Sequence, residues 1–176
     1  MNNIFLVLFL SITLVACGQT QPKETTEWKT LSEEKFTLSY PPSWELDQSG
    51  QMGSSFILFS PVSDEQDKFR ENVNLLIQDL KGYELTLDQY VAISLEQIKN
   101  LATDGNILLN ERKNKDGKEY QKLVYTATQG IFKLKFEQYC WLIDNQPFIL
   151  TFTTEEKEFD KYQQLGEKIL DSFTLK

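Results

Sequence analysis

The side chains able to do chemistry in this 176-residue sequence are 26 carboxylates and two cysteines, with no histidine beside them. Without imidazole there is no Ser/His/Asp triad, no Cys/His pair and no HExxH zinc site, and no side chain has an ordinary pKa near neutrality. No SxxK, GxSxG or glycine-rich phosphate loop occurs either. A hydrolase would need an unfamiliar constellation, so the expectation is a non-catalytic chain without a cofactor. The carboxylates gather in three places: Glu33 and Glu34; Asp64, Glu65 and Asp67; and Glu155, Glu156 and Glu158. The second group lacks the alternating spacing and glycine of an EF-hand loop. The third falls where a helix begins, and carboxylates in a first turn interact favourably with the helix dipole by ~0.3–1 kcal/mol. Solvated charge accounts for these clusters, and no metal site is expected. With 18 basic residues against the 26 acidic ones, the net charge of -8 repels phosphate backbones and argues against nucleic acid as a partner.

Cys17 ends an uncharged run that begins at Ile4. As a helix the run would reach ~20 Å, short of the ~30 Å hydrocarbon core, and its length suits the apolar part of a signal peptide. Leu14, Val15, Ala16 and Cys17 resemble the bacterial lipobox at every position. The resemblance implies that residues 1–16 are a lipoprotein signal peptide and that Cys17 becomes a lipidated N-terminus. Acyl chains contribute about 0.8 kcal/mol per buried CH₂, so two of them hold a water-soluble domain at a bilayer. The expected location is the cell envelope, on the periplasmic face of the outer membrane if the source is Gram-negative, since Gly18 rather than Asp follows the cysteine. Residues 17–27 read as the lipidated cysteine and a polar tether, because Gly18 to Glu27 holds no apolar side chain. With Cys17 acylated, Cys140 has no disulfide partner. Its place on an apolar strand face predicts a raised pKa and an inert thiol.

The elements that must position these groups follow from periodicity. Phe36, Leu38 and Tyr40 alternate with polar residues until Pro41 and Pro42 stop the strand. Trp44 and Leu46 begin a return, Phe56 to Phe59 reads as a strand covered on both faces, and Val73, Leu75 and Ile77 alternate again. The period then changes: Leu87, Val91, Ser94, Leu95, Ile98 and Leu101 form a helical stripe opened by a Thr86/Gln89 capping box. Four strands follow, Ile107–Arg112, Glu119–Thr128, Ile131–Ile143 and one through Phe148, Leu150 and Phe152, with reversals at Asp116-Gly117, Gln129-Gly130 and Asp144-Asn145. A second capping box at Thr153/Glu156 and the stripe Phe159, Tyr162, Gly166, Ile169, Leu170, Phe173 predict a closing helix. Roughly eight strands and two helices in tight succession make one α+β domain over 28–176, an antiparallel sheet flanked by helices.

In that order, the domain resembles the PsbP-like superfamily, which includes PsbP proteins and DcrB-type envelope lipoproteins. The resemblance is carried by Phe36, Leu38, Tyr40, Pro41 and Trp44, by Glu71, Asn72 and Val73, by Tyr90, by Gly117, Tyr120, Phe148 and Thr151, and by Ser172 and Phe173. It implies an α/β/α sandwich and a binding or assembly subunit rather than an enzyme. Where plant PsbP proteins use histidine in metal contacts this chain has none, so that role does not carry across.

Candidate binding residues come from the long Ile131–Ile143 strand. Tyr139 and Trp141 point opposite to Cys140, on the same face as Lys133, Lys135 and Glu137. The charged half predicts solvent, and the aromatic half predicts either the cover of a helix or a partner surface, so Tyr139 and Trp141 are the candidate binding surface. The expected partners are the membrane, through the lipid anchor, and an envelope protein. The alternative is a periplasmic protein that binds a small molecule or cation.

Overall fold

The computed structural model describes residues 27–176. Leu14, Val15, Ala16, Cys17 and the tether to residue 26 lie outside the described residues. Strand β1 (Lys29–Ser32), β2 (Phe36–Tyr40) and β10 (Thr174–Leu175) form a small antiparallel sheet in the order β1-β2-β10. The others build a seven-stranded antiparallel sheet: β3 (Glu45–Asp47), β4 (Ser54–Phe59), β5 (Asn72–Ile77), β6 (Thr103–Lys115), β7 (Lys118–Gln129), β8 (Phe132–Ile143) and β9 (Gln146–Glu155). Their order is β3-β4-β5-β9-β8-β7-β6, so β8 and β9 run through the middle. Helix α1 (Leu87–Leu101) and helix α2 (Phe159–Ser172) complete the α+β fold.

The strands form where side chains alternate between a buried and a wetter face. In β2, Phe36, Leu38 and Tyr40 are buried while Thr37 and Ser39 are half-buried. In β4, Phe56, Ile57 and Leu58 are all buried, as consecutive apolar residues require. Asp116 and Gly117 take φ values of 51° and 78°, and Asp144 and Asn145 take 48° and 60°. Left-handed pairs of this kind match the twist of the strands they join.

One face of the large sheet presents Val73, Leu75, Phe148, Leu150 and Phe152 to α2 and the small sheet, and the main core lies between them. Helix α2 comes so near β9 at Gly166 that a Cβ there would overlap the Phe152 ring. The absent side chain permits that approach. Helix α1 packs beside β6 and β7 and opens as expected, with the Thr86 side chain accepting from Gln89 N and the Gln89 side chain from Thr86 N.

Three features differ from the sequence expectation. Strands β1 and β10 were not foreseen, because each buries a single residue, Leu31 or Leu175, and so shows no period. The Thr153/Glu156 capping box does not form. The β8–β9 ladder continues to Leu134↔Glu155, so Thr153 and Thr154 stay in the strand, and α2 starts only after a 3-10 turn at Glu156–Glu158. Leu101 closes α1 exposed rather than on its buried stripe.

Candidate functional site

Strand β4 delivers Ser60, fully buried, to the point where β5 begins. Ser60 N donates to the Glu71 carbonyl at 2.8 Å, and Arg70 Nε donates to the Ser60 carbonyl at 2.7 Å. Arg70 is held in turn by Glu45, at 2.8 Å, and by the Phe59 ring, at 4.9 Å. These contacts fix Glu71 at the mouth of the sheet with 3% of its surface exposed. Ser60 Oγ donates to its Oε2 at 3.2 Å, and burial raises its pKa above the ordinary carboxylate range.

The loop joining Ser60 to Glu71 forms one wall of a cleft of about 450 Å³. Asp64 Oδ1 accepts from the backbone N–H groups of Gln66 and Asp67, at 2.7 and 3.1 Å. Asp67 Oδ2 accepts from Ser63 N and Oγ, at 2.9 and 3.0 Å, and the backbone donor holds the Asp67 pKa below the ordinary range. The opposite wall is the end of β9 and the start of α2. Here Lys157 pairs with Glu155 at 3.3 Å and Lys161 with Glu158 at 3.2 Å, while Lys161 lies 4.8 Å over the Tyr162 ring. Phe132, packed on Phe69 at 5.3 Å, lines the base of β8. Asp64, Asp67, Glu71, Glu155 and Glu158 therefore outnumber Lys68, Lys157 and Lys161 around the cleft.

Two of the three acidic clusters thus meet across one cleft, which their separation in sequence did not show. The third stands apart, with Glu33 accepting from Gln48 at 2.8 Å. In the sequence, Glu71 is marked only by the family resemblance. Period two was the available signal, since Glu71 continues the Val73, Leu75 face that the core buries. Among the described residues, no three His, Cys, Asp or Glu side chains group so as to hold a metal ion.

Tyr139 and Trp141 are not a surface. They are 4% and 2% exposed, beneath α2 and Phe173. Tyr139 Oη donates to Asp171 Oδ1 at 3.0 Å, and the Trp141 ring packs on Tyr120 at 4.9 Å and Phe173 at 5.1 Å. Of helix cover and partner surface, the fold supplies the helix cover. The charged half of β8 is not wholly solvated either: Glu137 is buried, its Oε1 held 2.7 Å from Lys122 Nζ by charge rather than by an aligned hydrogen bond. Burial is the first cause that raises the Glu137 pKa. Cys140 faces the other way, buried, with its thiol pushed up to about 12 by desolvation.

The PsbP family model matches residues 28–175. Among solved structures, the chain is similar to the cyanobacterial PsbP (CyanoP) of Synechocystis sp. PCC 6803, with a TM-score of 0.64 and 14% identity over 93% of this chain and 99% of that one. It is also similar to LpqN, described as involved in cell envelope biogenesis of Mycobacterium tuberculosis, with a TM-score of 0.63 and 10% identity over 85% of this chain and 90% of that one. PA94 of Pseudomonas aeruginosa, a putative regulator of unknown function, has a TM-score of 0.60 and 15% identity, over 82% of this chain and 94% of that one. No curated protein matches. At these identities the neighbours establish the fold, and the match over nearly the whole described domain establishes the lineage: the chain belongs to the PsbP family.

Proposed function

We propose that this chain is a cell-envelope lipoprotein, anchored through Cys17, whose PsbP domain serves as a non-catalytic binding or assembly module. The observation that carries the reading is the lipobox Leu14-Val15-Ala16-Cys17, followed by a polar tether and then by a family domain that begins at residue 28. Two acyl chains on Cys17 would keep the domain at a bilayer. The envelope role stated for LpqN, which shares the fold, is consistent with that placement. No helix among the described residues is long and apolar enough to cross a membrane, so a lipid anchor would supply attachment that those helices do not.

The cleft supports binding over catalysis. Of its two hydroxyl–carboxylate pairs, Ser60 with Glu71 has the hydroxyl fully buried, where it has no access to a substrate, and Ser63 is bonded to Asp67, whose lowered pKa makes it a poor general base. Metabolic labelling with a palmitate analogue tests the anchor. The wild type should take up label and Cys17→Ala should not; equal labelling of both would refute it.

A further inference from the structure

The Glu71 carboxylate is buried without a contact counter-ion: Lys161 acts on it only through charge from beyond ion-pair distance, and burial outweighs that pull. No lysine or arginine among the described residues lies within ion-pair distance of it, although Lys122, which serves the other buried glutamate, reaches Glu137 at 2.7 Å. A buried carboxylate is normally paired, because removal from water costs several kcal/mol unless charge and hydrogen bonds compensate. Glu71 has one side-chain donor, Ser60 Oγ on Oε2, and it lines an open cleft rather than a sealed core. The partner of this charge is therefore expected to come from outside.

The rest of the cleft says what kind of partner. Its volume of about 450 Å³ suits a small metabolite rather than a bare ion. Its carboxylates do not group as metal ligands. Its lining includes two aromatic residues, Tyr162 and Phe132, the side-chain type to which organic cations are drawn. The chain's own Lys161 already displays that mode of contact, with its ammonium at once 3.2 Å from Glu158 and 4.8 Å over the Tyr162 ring.

We propose that the cleft binds a small organic cation bearing a primary ammonium or guanidinium group, with Glu71 as its buried counter-charge and Tyr162 and Phe132 as aromatic walls. This rests on the reading of the domain as a binding module and gives that module a ligand class. Nothing in the proposal depends on the lipid anchor.

Isothermal titration of the full chain in detergent, with agmatine and spermidine as probes, tests it. Saturable binding is expected for the wild type. It should weaken at least tenfold in Glu71→Gln and stay unchanged in Glu33→Gln, which removes an equal charge outside the cleft; circular dichroism checks that both variants are folded. No saturable heat with either amine, equal weakening in both variants, or binding of calcium in place of amines would overturn the proposal. Palmitate labelling of the same preparations separates the two claims. Amine binding lost with label retained sinks the ligand class alone, and label lost with amine binding retained sinks the anchor alone.

Discussion

The two ends of β8 share one backbone and meet opposite fates. At the Trp141 end, α2 and Phe173 close over the strand, and Tyr120, Tyr139 and Trp141 pack ring against ring with Asp171 accepting from the Tyr139 phenol. At the Phe132 end, the chain leaves β9 through a 3-10 turn and holds α2 away from the loop that carries Asp64 and Asp67. A cleft stays open there, and its charged groups are held by short local bonds. Aromatic residues are core where an element covers them, and acidic residues that look like scattered charge line one cleft where a loop faces the end of β9 and the start of α2.

The contrast can be broken by mutation. Trp141→Ala removes a fully packed ring and should cost about 3–5 kcal/mol, whereas Phe132→Ala, at a half-buried position, should cost about 1–2 kcal/mol. Urea denaturation measures both as a shift in midpoint. Equal losses would erase the difference between the two ends.

Gly166→Ala tests how closely α2 is pressed onto the packed region. Alanine favours a helix by about 1 kcal/mol over glycine, but the new Cβ would overlap the Phe152 ring, and overpacking costs about 1–3 kcal/mol. A net loss is expected in the same denaturation assay, and a stabilised variant would show that the helix can shift outward freely.

At the cleft the sign reverses. Burial raises the Glu71 pKa, so the native state holds a proton more tightly than the unfolded chain and the ionised group costs stability at neutral pH. Glu71→Gln should therefore stabilise the protein by about 1 kcal/mol at pH 7, the order of one poorly compensated buried polar group. That advantage should shrink as pH falls from the raised pKa through the ordinary carboxylate value, as thermal melts across the acidic range would show. A variant less stable than wild type at pH 7 would mean that Glu71 holds the fold rather than a ligand.

The smallest perturbation is chemical. With its thiol pushed up to about 12 and covered, Cys140 should react with a thiol reagent at pH 8 only as fast as the domain opens. Rapid labelling of the native protein would place it on an accessible face.

Much of this architecture is legible in the sequence, because alternation and helical stripes report burial directly. The Thr86 cap, the Asp116-Gly117 and Asp144-Asn145 reversals and the β2 alternation all follow from local chemistry. Short β1 and β10 escape notice because each buries a single residue and β10 finds its partner β2 at the far end of the chain, and Thr153 is claimed by a ladder with β8 that no local motif announces. The cleft escapes for the same reason. Asp67, Glu71 and Glu158 come together through the order of strands in the sheet, while Tyr139 and Trp141 cannot be told from a surface until α2 is laid over them.

The most direct measurement is amide and indole NMR of the full chain in detergent, titrated with agmatine. The account predicts that the resonances moving in a saturable way cluster at Asp67, Glu71, Lys161 and Tyr162, while the Trp141 indole stays still. Shifts centred on Tyr139 and Trp141, or small shifts spread evenly over the acidic surface, would contradict it.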